Sequence, residues 1–292
     1  MVEINEADSG LADVLDTLES NLSGSDREAV REFGRQLLSR APAERFEEAE
    51  PGPIAEAAAR LFRLIERTKA DQVGVEVWRV AERPHRAVVL TAMSDCAFIV
   101  ETLQELLAAE PLGIRVLLHP ILAIERRADD TVAAIRDRGS DAPRVSATLA
   151  LVEGPLEPGS EDAIEREVRD RLENVKLATR DFAAMLEVAR DISADLDTAK
   201  CHMEWRSAEL DEIRDLLAWL EQGNFVFLGY RDYDVQNEGD DGRLVSVRRG
   251  SSLGILSDES TSKAYDPVPL NQLPADLQAR VLGGPTLIVS KT

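Results

Sequence analysis

The amino-acid sequence predicts an α+β fold. It comprises a βαββαβ sheet-and-helix domain with an N-terminal helical cap and a long helical hairpin, followed by a second small β-rich segment. Three observations carry this reading. Val73–Val80 and Arg144–Glu153 alternate apolar with other residues, the period of half-buried strands. Between Ala87 and Ile124, two apolar runs flank a stretch with Phe98, Ile99, Thr102, Leu103, Leu106 and Leu107 at helical spacing. From Ser160 to Gln222 no Gly or Pro occurs, and apolar residues recur at steps of three and four.

Taken in order, residues 1–70 read as helices. Leu11, Val14, Leu15 and Leu18 suggest a short amphipathic one. A second is expected over Ser25–Ser39, capped at Ser25 with Glu28 three residues on, and a third over Pro53–Thr68. Residues 71–222 hold the sheet. The strand at Val73–Val80 turns through residues 82–86 into the Ala87 strand. A strand-to-helix turn at Ser94–Asp95 then leads to the helix, which Pro111 and Gly113 close. Ile114–Ile124 reads as the next strand and Ala128–Ala142 as a polar loop or short helix. Arg144–Glu153 follows as a strand ended by Gly154-Pro155. The long helices then run to Gln222 with a break near Asp195–Lys200 and pack as an antiparallel pair. Residues 223–292 begin with a strand at Phe225–Val235 and a hairpin partner at Arg243–Arg248. A short helix near Pro274–Val281 and a strand at Thr286–Ser290 close the segment, which is expected to be incomplete at its C-terminus.

Composition narrows the function classes. Asp and Glu number 55 against 34 Lys and Arg, a formal net charge of −21, which argues against a phosphate-backbone partner. Two cysteines make no disulfide framework. The acidic N-terminus lacks the pattern of a signal peptide, and no apolar run reaches a membrane span. A cytoplasmic protein is expected. Dinucleotide, Walker, HExxH and GxSxG signatures are missing, so neither catalytic nor cofactor-binding residues are assigned. Cys201-His202 point apart on a helix with no further ligand at metal spacing, so no metal is assigned either.

One candidate site remains, the turn at the N-terminus of the Phe98 helix. Asp95 is first an N-cap and second a ligand contact. It could accept an amino group while the N–H groups around Ala97 and Phe98 hold a carboxylate. Cys96 at the helix terminus could have a lowered pKa, but no histidine is near it in sequence to make it a nucleophile. His119, inside an apolar strand beside Pro120, reads as a satisfied structural histidine ahead of any ligand role.

Four segments bring a family into view. Asp95–Thr102 (DCAFIVET) resembles the D-x-P-F-L-V-D-S motif of the large NAD-specific glutamate dehydrogenases, and Gly113–Arg127 (GIRVLLHPILAIERR) resembles their Gly…His-Pro segment. Phe225–Val235 (FVFLGYRDYDV) with Gly250–Leu256 (GSSLGIL) is similar to their F-x-F-L-G-Y and G-S-G-L-G pair, and PTLIVSKT to a following segment. The matched positions are Asp95, Phe98, His119, Pro120, Phe227, Gly229 and Tyr230. Ala97, Glu101 and Ser252 stand where the family has proline, aspartate and glycine. The resemblance implies a non-catalytic N-terminal region with ferredoxin-like, ACT-like domains, which pair and bind amino acids at the strand-to-helix turn. It implies an amino-acid effector at Asp95, Cys96, Ala97, Phe98 and His119. It also implies a homo-oligomer, and catalytic domains with their NAD elsewhere in the same polypeptide. The chain alone would be inert, or else a free-standing amino-acid-binding module or a purely structural oligomerisation domain.

Overall fold

The computed structural model describes residues 6–39, 51–81, 83–109, 112–137, 139–199, 207–238, 242–275 and 278. The chain divides into two compact units, Met1–Val175 and Lys176–Thr292. The division falls inside a helix, where the sequence reading placed its boundaries after residues 70 and 222.

The first unit is built on one antiparallel sheet. Its strands are β1 (Gly74–Val80), β2 (Arg83–Ser94), β3 (Gly113–Leu118), β4 (Ile121–Arg126), β5 (Val132–Arg136) and β6 (Arg144–Glu153), in the order β1-β2-β6-β4-β5 with β3 also on β6. β6 is the hub. On one side it pairs with β2 from Arg86↔Glu153 to Ser94↔Val145. On the other it pairs with β3 over Leu149–Glu153 and with β4 over Arg144–Ser146. β3 and β4 are therefore one long strand bent at His119-Pro120, where proline removes a donor from the ladder. Both β2 and β3 run antiparallel to β6, so they are parallel to each other with β6 between them. The helix joining them completes a split β-α-β unit.

The side-chain period of two gives the sheet two buried faces. Val88, Leu90, Ala92, Leu122, Ile124 and Leu149 point to one core, shared with α1 (Glu6–Asn21), α2 (Arg27–Leu38) and α3 (Pro51–Arg67). Ala87, Val89, Met93, Ala150 and Val152 point to the other, against Ile99, Leu103 and Leu107 of α4 (Ile99–Ala109) and Val168 and Leu172 of α5 (Ser160–Arg180). The N-terminal helices thus cap the face opposite α4 and α5.

Three expectations change. The βαββαβ order drawn from Ala87 to Gln222 is not followed: among the described residues no strand after α5 joins this sheet, and the edge beside β2 is filled by β1 instead. The physical reason is proximity in sequence, since local pairing of β1 with β2 closes a far shorter loop than a return from beyond the helices. Arginines then fasten α5 to that edge. Arg79 of β1 donates to Leu156 O at 3.0 Å, Glu157 O at 2.6 Å and Glu161 at 2.8 Å, while Arg169 of α5 donates to Val73 O and Val75 O. Second, the loop expected over Ala128–Ala142 contains strand β5, whose short VAAIR run pairs with β4 and buries Val132 and Ile135. Third, α2 is capped by Asp26, not Ser25. The Asp26 carboxylate accepts from Glu28 N–H at 3.1 Å and Ala29 N–H at 3.2 Å, and from Arg127 at 3.0 Å. A carboxylate answers both the helix dipole and that cation, which a serine hydroxyl does not.

The second unit carries α6 (Phe182–Ala199), α7 (Ser207–Trp219) and a π-turn at Leu220–Asn224. The helical stretch breaks at Asp181; the break expected toward Lys200 reaches residues outside those described. β8 (Tyr233–Glu238), β9 (Gly242–Val247) and β11 (Val268–Pro269) form a small antiparallel sheet over Val245, Ala264 and Leu273. Phe225–Leu228 does not join β8 as expected. The chain instead pairs β7 (Gly229–Tyr230) with β10 (Leu253–Gly254). The strand expected at Thr286–Ser290, most of the helix expected at Pro274–Val281, and the pair Cys201-His202 lie outside the described residues.

Backbone hydrogen bonding from Ala29, followed by the Arg127 contact, holds the Asp26 carboxyl below its ordinary value of 3.8. A carboxyl so depressed stabilises the folded state above that ordinary value, and the contribution is lost as pH falls through the folded-state value. Replacing Asp26→Ala is expected to cost about 1 kcal/mol at pH 7. Urea denaturation followed by circular dichroism should show that difference shrinking toward zero as the pH is taken below 3.8, whereas a pH-independent difference would contradict the assignment.

Candidate functional site

The turn between β2 and α4 is shaped by backbone bonds more than by side chains. Asp95 N–H donates to Arg144 O at 3.0 Å, extending the β2–β6 ladder one residue past the strand. Ser94 Oγ donates to Ala70 O at 2.5 Å and so is spent outside the helix. Phe98 adopts a φ of 72°, the left-handed region that a bulky residue enters at a cost of about 1–2 kcal/mol. Its carbonyl accepts the Thr102 N–H at 3.0 Å and starts the helix. Asp95 therefore lies three residues before the residue that opens α4 and does not cap it, against the first expectation for it. The open donors of the first turn are those of Ile99, Val100 and Glu101 rather than Ala97 and Phe98.

Around this turn Asp95 is half-buried, Ala97 is exposed and the Phe98 ring is 44% exposed. Cys96 is a half-buried thiol packed against the α4–α5 core. His119 lies at the same end of the sheet but one strand away, beyond β6. Its Nε2 shares a 2.5 Å hydrogen bond with Ser146 Oγ, and Ser146 is fully buried. Two strand spacings put it roughly 10 Å from the end of β2. The structure thus gathers Asp95 to Phe98 in one turn and sets His119 at its flank, hydrogen-bonded to Ser146.

Sequence reasoning missed a polar seam beneath this site. Thr91 and Thr148 face each other across β2 and β6, on the side that α4 covers, with 1% and 0% exposure. Neither hydroxyl has a hydrogen-bond partner. Ser146, two residues along β6 on the same face, continues the seam to His119. The only signal was three hydroxyl residues at like-facing positions within otherwise apolar runs.

Other chemistry is sparse. Among the described residues no group of His, Cys, Asp and Glu could hold a metal ion, and no helix is long and apolar enough to cross a membrane. Gly250–Gly254 forms a turn into β10, which pairs with β7 and opens no helix. That is not the strand–turn–helix that holds a dinucleotide pyrophosphate, and no step through NAD is assigned to this chain.

Comparison with known proteins finds similarity to one family. A protein-family model described as glutamate dehydrogenase, ACT1 domain, matches residues 33–168, the span from α2 into α5 that contains the whole sheet. The NAD-specific glutamate dehydrogenase of Pseudomonas aeruginosa is 28% identical over 241 residues, covering 75% of this chain. That of Halomonas elongata is 27% identical over 170 residues, 56% of this chain. Residues 33–168 thus match the ACT1 domain of glutamate dehydrogenases, and the chain is similar to the N-terminal region of the NAD-specific enzymes. The aligned parts make up only 15% and 10% of those two relatives.

The ACT1 sheet offers a direct test of its buried polar seam. Thr91→Val removes an unpaired buried hydroxyl while keeping its shape and should raise stability by about 1 kcal/mol or more. Ser146→Ala removes the hydrogen bond to His119 and should lower it by about 0.5–1.5 kcal/mol. Parallel urea denaturation of the two variants checks both signs; destabilisation by Thr91→Val would show that its hydroxyl is satisfied in solution.

Proposed function

We propose that this chain is a regulatory and assembly region, catalytically inert by itself, of an NAD-dependent glutamate dehydrogenase. The parent polypeptide would deaminate L-glutamate oxidatively to 2-oxoglutarate, holding NAD in catalytic domains outside these residues. The observation that carries the reading is the match with the P. aeruginosa enzyme, which takes in three quarters of this chain yet only 15% of the enzyme. The ACT1 match over residues 33–168 supports it. The assembled parent is read as a cytoplasmic homo-oligomer.

Within that reading the Asp95 turn is an effector site for an amino acid. Asp95 would accept the ligand's ammonium, the N–H groups of Ile99, Val100 and Glu101 would hold its carboxylate at the positive end of the α4 dipole, and Cys96, Ala97 and Phe98 would line the turn. His119 would hold Ser146 and the bend of the β3–β4 strand behind it. The left-handed conformation of Phe98 favours this reading, because it turns the helix start outward at an energetic cost. Regulation then requires that the amino acid bind one packing of the region more tightly than another. A free-standing amino-acid-binding module would share the site but not the parent.

Two measurements separate these readings. Residues 1–292 mixed with glutamate and NAD should produce no NADH, and measurable turnover would contradict the inert role. Calorimetric titration with the common amino acids should find one that binds, with Asp95→Ala weakening it by about tenfold or more. Absence of heat for every amino acid would remove the effector site and leave the assembly role.

A further inference from the structure

Nine of the ten large apolar side chains that are exposed among the described residues lie in the second unit. Six of them fall at two places that the fold brings together: Trp219, Phe225, Val226 and Leu228, and Ile255 and Leu256. They are joined by specific contacts. The Trp219 and Phe225 rings stand 5.5 Å apart, Ile255 N–H donates to Leu228 O at 2.9 Å, and Leu253 and Gly254 pair with Tyr230 and Gly229. The two motifs that resemble the glutamate dehydrogenase family, FVFLGY and GSSLGIL, are thus the two halves of one apolar ridge.

The ridge is held rigidly. Gly254 has φ +61°, and a Cβ on it would stand 2.2 Å from Leu228 O, so only glycine allows this approach. The Asp181 carboxylate accepts from Gly254 N–H at 2.8 Å. Arg231 donates to Leu256 O at 2.5 Å and Asp258 O at 2.9 Å, and to Ser252 Oγ at 3.1 Å. A glycine requirement, a buried-end carboxylate and a three-way arginine clamp hold six apolar side chains toward solvent. Scattered exposed leucines need no explanation, but a contiguous, braced set marks an interface. Among the described residues β7 pairs with β10 alone.

The length of the relatives supplies an occupant for the ridge. The region aligned with the P. aeruginosa enzyme is 15% of that enzyme's length, so most of such a polypeptide lies outside these residues. We propose that Trp219, Phe225, Val226, Leu228, Ile255 and Leu256 form the ridge through which this region docks onto a further apolar segment of its own longer polypeptide. This rests on the parent-enzyme reading and gives its assembly role a surface.

Hydrogen exchange on the full-length polypeptide and on residues 1–292 tests it, with β2 of the first unit as internal reference. Amides of 225–230 and 253–257 should exchange at least tenfold more slowly in the full-length protein, with β2 unchanged. Leu228→Ser in the full-length protein should restore fast exchange there, and Leu228→Met should not. Equal exchange in the two proteins would overturn the proposal. So would a dimer of residues 1–292 that Leu228→Ser makes monomeric, because the occupant would then be a second copy. Full-length protein that turns over glutamate with NAD while its ridge stays unprotected would leave the parent-enzyme reading standing and remove the docking alone.

Discussion

The first unit depends on a single strand. β6 pairs along both edges, with β2 on one side and the bent β3–β4 strand on the other, and it is buried on both faces. A strand in that position can carry no charge along its middle, and Ser146–Val152 is apolar or hydroxyl-bearing throughout. Its alternation decides which side chains meet α1–α3 and which meet α4 and α5, so a slip of one residue would exchange the two cores. The bend at His119-Pro120 lets one neighbouring strand follow the twist of β6 over its full length. The Ser146–His119 bond fixes that bend from the side.

The position of the Asp95 turn follows from β6 as well. The ladder that ends with Asp95 N–H on Arg144 O carries β2 just past the start of β6, and the chain must there reverse onto the sheet. Reversal in so few residues forces Phe98 into the left-handed region and leaves the first N–H groups of α4 facing outward. An exposed helix start at this place is a by-product of how the split β-α-β unit closes. Whether a family member uses it depends on the side chains it places there, here Asp95 and Glu101.

Much of this was legible in the sequence because it is periodic. The strands Val73–Val80 and Arg144–Glu153, the α4 spacing and the cap helices follow directly from burial on one or two faces. What was not legible depends on partners distant in sequence. VAAIR is too short to read as a strand until β4 lies beside it. The edge filled by β1 instead of a C-terminal strand is a choice between two pairings of similar local propensity, settled by loop closure. The choice of Asp26 over Ser25 depends on Arg127, 101 residues away in sequence. At the site, the apolar setting of His119 could be read from its neighbours, but its bond to Ser146 across the strands could not. The orphan Thr91 and Thr148 could not, because threonine is a favoured strand residue whether or not its hydroxyl is satisfied.

The central claim is that an inert, ACT1-bearing region works as part of a much larger enzyme. The most direct test is the mass of the native polypeptide recognised in its source cells by an antibody against residues 74–153. The account predicts a species several times heavier than the 32.1 kDa of this chain, co-purifying with NAD-dependent glutamate oxidation. A native species of about 32.1 kDa without that activity would contradict it.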